Sequence, residues 1–288
     1  MRWEGRERSS NVEDRRGMGG KGKLALGGGG IAIVALILSQ LLGFDVRPLL
    51  NIFNAGAGPQ VQQQQGAERP LTEEEKKQGE FASVVLKDTE DVWTDLFQRN
   101  RKQYKKPKLV LFTDSVQSDC GAAGAEVGPF YCPADQTVYI DLAFFVELDK
   151  RFKAPGDFAN AYVIAHEVGH HVQKLLGYSD LVDKKRRDPD YNQYSVRLEL
   201  QADYLAGVWA HHIQKKKNVL DPGDIDEALT AANAIGDDTL QKKARGKVMP
   251  DSFTHGTSAQ RVYWFKKGFE SGKFEELDLL FTLPYNKL

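Results

Sequence analysis

A run without charged residues, from Leu24 to Phe44, constrains this chain more than any other feature. A helix needs about 20 mainly apolar residues to cross a hydrocarbon core of about 30 Å. The alternative, a buried helix of a soluble domain, is less favoured because such a helix normally keeps a polar face. We therefore expect residues 24–44 to form a transmembrane helix in contact with the lipid bilayer.

A cleaved signal peptide is the second alternative for this run. Its apolar core usually has about 7 to 15 residues and ends at a small-residue cleavage site. The first such site here, Ala55-Gly56-Ala57, lies well beyond the run. Basic residues precede the run, and the positive-inside tendency therefore predicts a cytoplasmic N-terminus. We expect an uncleaved, single-pass signal anchor, with the chain after residue 45 outside the cytoplasm.

These features predict four parts in the chain. They are a basic cytoplasmic tail (1–23), the transmembrane anchor (24–44), a flexible linker rich in Ala, Gly, Gln and Pro (45–72), and one domain (73–288). The net charge of -1 argues against a nucleic-acid partner, since phosphate-binding domains usually carry a marked excess of Lys and Arg. Cys120 and Cys132 are close in sequence, and in an oxidising compartment such a pair predicts a disulfide, with two free thiols as the alternative.

The domain is predicted to be α+β, mainly helical with a small sheet. Thr72 and Glu75 have the spacing of a capping box at the start of a helix. Short β-like runs flank the cysteine loop at 108–112 and 137–140. Helical patterns follow at about 158–176, 192–215, 223–236 and 257–271.

The sequence His166-Glu167-Val168-Gly169-His170 predicts a metal site on one of these helices. Residues four apart lie on the same helix face, so His166 and His170 are able to share one ion. Glu167 projects to one side, where it reaches a water at the metal without being a ligand. The alternative, a helix with exposed polar residues, fits less well because the motif lies in apolar sequence.

A catalytic zinc takes three protein ligands and keeps one position open. Glu199 and Asp203, four apart in a later amphipathic stretch, suggest that Glu199 is the third ligand. Asp203 would accept a hydrogen bond from a ligand histidine and orient its ring. The alternative for the pair is an acidic, solvated helix face. The predicted cofactor is Zn²⁺.

This set predicts metal-assisted hydrolysis with Glu167 as the general base. His255 lies in a loop before the last predicted helix, beside Gly256, and is the candidate donor to the oxyanion that forms during hydrolysis. Packing at a helix start is its alternative role. Arg261 has two interpretations, a contact with the substrate or an ion pair with an acid such as Asp251. His171, His211 and His212 are predicted to be surface or packing residues.

Motifs along nearly the whole chain resemble a bacterial family of neutral zinc metallopeptidases, which are single-span membrane proteins. The stretches that carry the resemblance are MRW (1–3), NVEDRR (11–16), GPFYCPAD (128–135), YVIAHEVGHHVQ (162–173), ELQAD (199–203) and PDSFTHGT (250–257). A more distant similarity is to gluzincin membrane proteases, which carry His-Pro where this chain has His255-Gly256. The resemblance implies a zinc protease in the bacterial cytoplasmic membrane, with a peptide or protein substrate.

Two other functions stay open at this stage. The first is a membrane-tethered scaffold with a structural zinc and no turnover, which would have no need of a carboxylate at Glu167. The second is a hydrolase of non-peptide amides, since metal ligands do not define the substrate. The β-like run near Tyr131 suggests how a peptide would bind, because edge strands pair with extended chains.

Overall fold

The computed structural model describes residues 1–17, 69–245 and 248–288. The predicted anchor at 24–44 and the linker up to residue 68 lie outside the described residues. Among the helices of the described ranges, none has both the length and the apolar composition required to cross a bilayer.

The described residues form a mainly helical α+β fold with a small sheet, which confirms the predicted class. The helices are α1 (Glu73–Arg99), α2 (Ala143–Lys150), α3 (Asp157–Leu176), α4 (Tyr178–Asp183), α5 (Tyr191–Lys217), α6 (Asp224–Ala234), α7 (Asp237–Arg245), α8 (Ser258–Ser271) and α9 (Leu279–Thr282). The four helices expected after residue 157 match α3, α5, α6 and α8 to within two residues at each end. The capping box is also present, since the Thr72 hydroxyl accepts from the Glu75 backbone N–H at 3.2 Å.

The strands are β1 (Val12–Asp14), β2 (Lys108–Phe112), β3 (Ser115–Ser118), β4 (Gly121–Gly124), β5 (Phe130–Cys132) and β6 (Thr137–Asp141). A four-stranded sheet has the order β1-β2-β6-β5, with β1, β2 and β6 parallel and β5 antiparallel to β6. Successive side chains of a strand point to opposite faces. Leu109 and Leu111 of β2 therefore join the main core with the helices, whereas Val110 and Phe112 lie in a second cluster with β3.

The predicted disulfide is present. Cys120, in the turn between β3 and β4, is bonded to Cys132 at the end of β5, with a Cα–Cα distance of 5.8 Å. The bond ties the β3–β4 hairpin to the edge strand of the sheet.

Residues 1–17 belong to the folded domain, which differs from the predicted boundary at residue 73. The sequence interpretation placed residues 1–23 in a separate cytoplasmic tail. In the structure β1 pairs with β2 in register from Val12 opposite Leu109, and Trp3 is buried. The pairing satisfies backbone groups at the edge of the sheet, and the indole of Trp3 is removed from water.

The core is built around α5, which packs against both α3 and α8. The crossing of α5 and α8 is close because α5 has a glycine there. A Cβ added at Gly207 would lie 2.1 Å from the carbonyl oxygen of Phe265. Trp209 and Trp264 are fully buried beside this crossing. The short distance between the helices lets a side chain from α8 reach the polar groups between α3 and α5.

Candidate metal centre

Helix α3 carries both histidines of the motif. Its apolar face, including Ile164 and Val168, is fully buried in the main core. His166 and His170 lie one turn apart, with ring centroids 4.8 Å from each other. His166 is 6% exposed, so its imidazole is largely removed from water. A buried polar ring needs a partner, and the partners come from α5.

Glu199 of α5 lies opposite the two histidines. Its Oε2 is 3.2 Å from His166 Nε2, and its Oε1 is 3.5 Å from His170 Nε2. One ligand atom from each of the three residues lies within 4.8 Å of the other two. Two imidazole nitrogens and one carboxylate oxygen are a donor set that zinc accepts, with a fourth position left for water.

The distance between α3 and α5 depends on a glycine inside the motif. A Cβ at Gly169 would lie 3.1 Å from the carbonyl oxygen of Ala202 and 3.2 Å from its Cα. Such contacts are tighter than side chains normally make, so a larger residue would require α5 to shift by a few tenths of an ångström. The absence of a side chain at Gly169 therefore brings Glu199 within reach of both histidines.

Asp203, one turn after Glu199, orients His166. Its Oδ1 is 2.8 Å from His166 Nδ1 and accepts from the Tyr162 hydroxyl at 2.5 Å. Arg261 of α8 donates from Nε to Oδ2 at 2.9 Å and from Nη2 to Oδ1 at 3.0 Å. Burial would raise the pKa of Asp203, but the charges of Arg261 and His166 hold it below its ordinary value. The carboxylate therefore stays ionised and fixes the ring so that Nε2 faces Glu199.

Arg261 pairs with an acid, as one of the two interpretations made from the sequence held, and that acid is Asp203. It is 2% exposed, and its guanidinium is directed at Asp203 and the Tyr162 hydroxyl rather than at solvent. Tyr162 is four residues before His166, a spacing that places it on the same helix face. The motif spacing therefore contained a signal for Tyr162 that the sequence interpretation did not use.

Gln173 is a second residue that the sequence interpretation missed. It is fully buried, and its Oε1 is 2.9 Å from His170 Nδ1. Its Nε2 donates to the backbone carbonyl of Leu198, next to Glu199, at 2.6 Å. Gln173 thus orients the second histidine and links α3 to the start of the ligand-bearing turn of α5. Its i+3 spacing from His170 was the available signal.

The electrostatics of the cluster favour a positive charge between the three side chains. Burial alone would lower the pKa of His166, but the Asp203 carboxylate and Glu199 raise it to about 10. Burial would raise the pKa of Glu199, whereas His170 and His255 bring it well below its ordinary value. A cation between the three side chains would neutralise the charge of the Glu199 carboxylate, as a proton on a histidine ring does. The donor set therefore fits a divalent metal.

Glu167 follows the first histidine and is 8% exposed. Burial raises the pKa of its carboxyl group, and the neighbouring His170 and His166 oppose that rise. A carboxylate with a raised pKa is a stronger base than an exposed glutamate, as proton abstraction from water requires.

His255 lies in the loop just before α8, and the loop is held by Asp237. Asp237 Oδ2 accepts from the backbone N–H groups of Thr254 and His255, both at 2.7 Å, and its Oδ1 is 3.2 Å from His255 Nδ1. Loss of solvation would lower the pKa of His255, and the charges of Glu199 and Asp237 raise it. The ring lies within the electrostatic reach of Glu199, and its side chain remains 49% exposed.

The remaining histidines are packing residues. His171 is fully buried between the Tyr131 hydroxyl, 3.0 Å from Nδ1, and the Lys105 carbonyl, 2.6 Å from Nε2. His211 and His212 are partly buried and pair with backbone carbonyls of α8 and the residue after it. The prediction of surface or packing roles is confirmed, with His171 in the interior.

The described residues combine a mainly helical α+β fold with a cluster of two histidines on one helix and a carboxylate on another that is able to hold a metal ion. Residues 1–280 match the model of the family described as "putative neutral zinc metallopeptidase", and the chain belongs to that family. The family name implies zinc, which agrees with the His166, His170 and Glu199 cluster.

Two relatives illustrate how far the similarity extends. The chain is 48% identical to the protein YpfJ of Escherichia coli (strain K12) over 283 residues, which are 94% of this chain and 96% of YpfJ. It is 44% identical to the protein Mb2605 of Mycobacterium bovis over 179 residues, which are 59% of this chain and 60% of that protein. No solved structure matches the chain.

Proposed function

We propose that this protein hydrolyses peptide bonds, with zinc held by His166, His170 and Glu199. The observation that carries the proposal is Glu167, a buried carboxylate next to the first of the three convergent ligand groups. A structural zinc site is closed by its ligands and has no use for a base there. In a scaffold with a structural zinc, the unfavourable burial of the Glu167 carboxylate would serve no function.

Zinc, when bound, polarises a substrate carbonyl and lowers the pKa of a water from about 15.7 to near 7. Glu167 removes the proton of the attacking water and delivers it to the leaving amine. His255 donates a hydrogen bond to the substrate oxygen as negative charge develops on it. Asp203, Arg261 and Gln173 keep the two ligand rings in place.

The substrate class proposed is an extended peptide that pairs with β5. This strand ends the described sheet on the side opposite β1, and the hydroxyl of its Tyr131 contacts His171, next to His170. An extended chain that adds to such an edge forms main-chain hydrogen bonds. The Cys120–Cys132 disulfide fixes the end of the strand. The contact between β5 and the metal helix α3 supports a peptide bound near the zinc ligands.

The proposal includes contact with the bacterial cytoplasmic membrane through residues 24–44 and a location of the domain outside the cytoplasm. The disulfide supports this location, because cytosolic thiols are kept reduced.

The proposed activity is tested by mapping new protein N-termini in membrane and extracytoplasmic fractions of cells. Cells with the wild-type protein should contain cleavage products that are missing from cells with Glu167→Gln. Identical sets of termini in the two strains, with zinc bound to both proteins, would favour the scaffold function.

His255→Ala is expected to lower turnover by about 10²- to 10³-fold, because one donor to the developing oxyanion is lost. Zinc content and thermal stability should stay nearly unchanged, since half of the side chain is exposed. The measurement is kcat on a peptide copied from a mapped cleavage site, with His212→Ala as the matched control away from the metal. Unchanged turnover would make His255 structural, and loss of zinc would make it a ligand.

A further inference from the structure

The N-terminal segment, residues 1–17, is an integral part of the domain. Its strand β1 extends the parallel sheet, and a backbone hydrogen bond to β2 lies just before and just after the strand. The Leu109 backbone N–H donates to the Asn11 carbonyl at 2.9 Å, and the Arg15 N–H donates to the Leu111 carbonyl at 2.8 Å. These bonds fix the position of the segment along β2.

Buried carboxylates of α1 depend on this segment. Glu90 is 1% exposed and accepts from the Ser9 hydroxyl and the Asn11 side-chain amide, both at 2.6 Å. Lys106 is its third partner, at 3.1 Å. A buried charge that loses its partners is strongly destabilising. The stability of the domain therefore depends on this segment, because the segment supplies two of the donors that stabilise the buried Glu90 carboxylate.

Trp3 connects the segment to the metal helix. It is 6% exposed, and its ring meets Phe81 of α1 edge to face at 5.4 Å. Its indole N–H donates to the carboxylate of Asp157, the first residue of α3, at 3.0 Å. An indole buried with its one donor satisfied is a strong anchor.

The end of the N-terminal segment contacts the residues that precede and begin α1. The Arg16 guanidinium is bound by Asp14 and donates to the backbone carbonyl of Glu75 in the first turn of α1 at 2.7 Å. The carbonyl of Gly17 accepts from the backbone N–H of Arg69 at 3.2 Å. Gly17 and Arg69, the described residues on either side of 18–68, are therefore hydrogen-bonded to each other within one folded unit.

We propose that residues 1–17 and the metallopeptidase domain lie on the same side of the membrane. A single crossing by residues 24–44 would put the segment and the domain on opposite sides, where none of these contacts is able to form. Residues 24–44 would then contact the bilayer without making a single crossing. This differs from the orientation predicted from the basic residues, which placed the N-terminus alone in the cytoplasm.

The topology is tested by thiol labelling of the full chain in spheroplasts with a membrane-impermeant maleimide. Both native cysteines are paired, so one introduced thiol reports its own position. Glu4→Cys reports on the segment and Arg151→Cys on the domain, since these side chains are 72% and 73% exposed. We expect both variants to be labelled before lysis. Protection of both until lysis would also place them on one side. Labelling of only one of the two would overturn the proposal.

A second measurement tests the packing itself. In the full chain in detergent, Trp3→Ala should lower Tm by on the order of 10 °C, because a buried indole is removed from the core. Glu4→Ala, the matched change at an exposed neighbour, should leave Tm within about 2 °C. An unchanged Tm for Trp3→Ala would mean that the segment does not pack on the domain, and the same-side proposal would lose its basis.

Discussion

Glu167→Gln is expected to reduce turnover by about 10²- to 10⁴-fold, with zinc content unchanged. The amide has nearly the shape of the carboxylate, so the packing of α3 around this buried position is kept. It has no charge and does not accept the proton of the attacking water. The measurement is kcat on a peptide that contains a mapped cleavage site, with zinc determined by elemental analysis of the same sample.

The matched control for this change is Glu270→Gln on α8, where the side chain is 63% exposed and pairs with Lys266. It removes the same charge without touching the metal centre and should leave turnover unchanged. Cleavage by Glu167→Gln at the wild-type rate would show that another group acts as the base.

Glu199→Ala is expected to weaken zinc binding by well over 100-fold. It removes the carboxylate whose two oxygens lie 3.2 and 3.5 Å from the histidine nitrogens, and it leaves two protein ligands. Changes to residues that only orient a ligand typically cost 10- to 100-fold, and a lost ligand costs more. The measurement is competition for zinc between the metal-free protein and a chromogenic chelator.

Asp203→Asn provides the graded comparison and should weaken zinc binding by about 10- to 100-fold, since its contact with His166 Nδ1 is altered while all three ligands remain. Glu270→Ala should bind zinc as the wild type does. Full zinc retention in Glu199→Ala would assign the third ligand to another residue.

The features that sequence predicted well depend on local geometry. His166 and His170 are four residues apart, and this spacing alone puts them on one face of α3. The same holds for Glu199 and Asp203 on α5. The short β-like run at 108–112 and the capping box at Thr72 are local in the same sense. The convergence of the two helices was a prediction from chemistry, since zinc needs a third ligand.

The features that sequence did not predict depend on long-range packing. Arg261 contacts Asp203 because α8 crosses α5 closely at Gly207. The residues next to each of them in the sequence do not indicate that the two side chains will pair. Asp237 holds the His255 loop in the same way, from the start of a helix that was not predicted. Strand β1 has a single apolar residue, Val12, so its pattern gave no strand signal.

The position of β1 also determines how early in synthesis the N-terminal segment is able to pack on the domain. The strand is made before its partner β2, which begins only at Lys108, and Asp157 follows Trp3 by 154 positions. Contacts this distant form only after the loop-closure entropy has been overcome, which makes them slow. Residues 1–17 therefore stay unpaired until β2 and the start of α3 have been synthesised. If residues 1–17 were moved across the membrane before that point, Glu90 would lack the hydrogen bonds from Ser9 and Asn11.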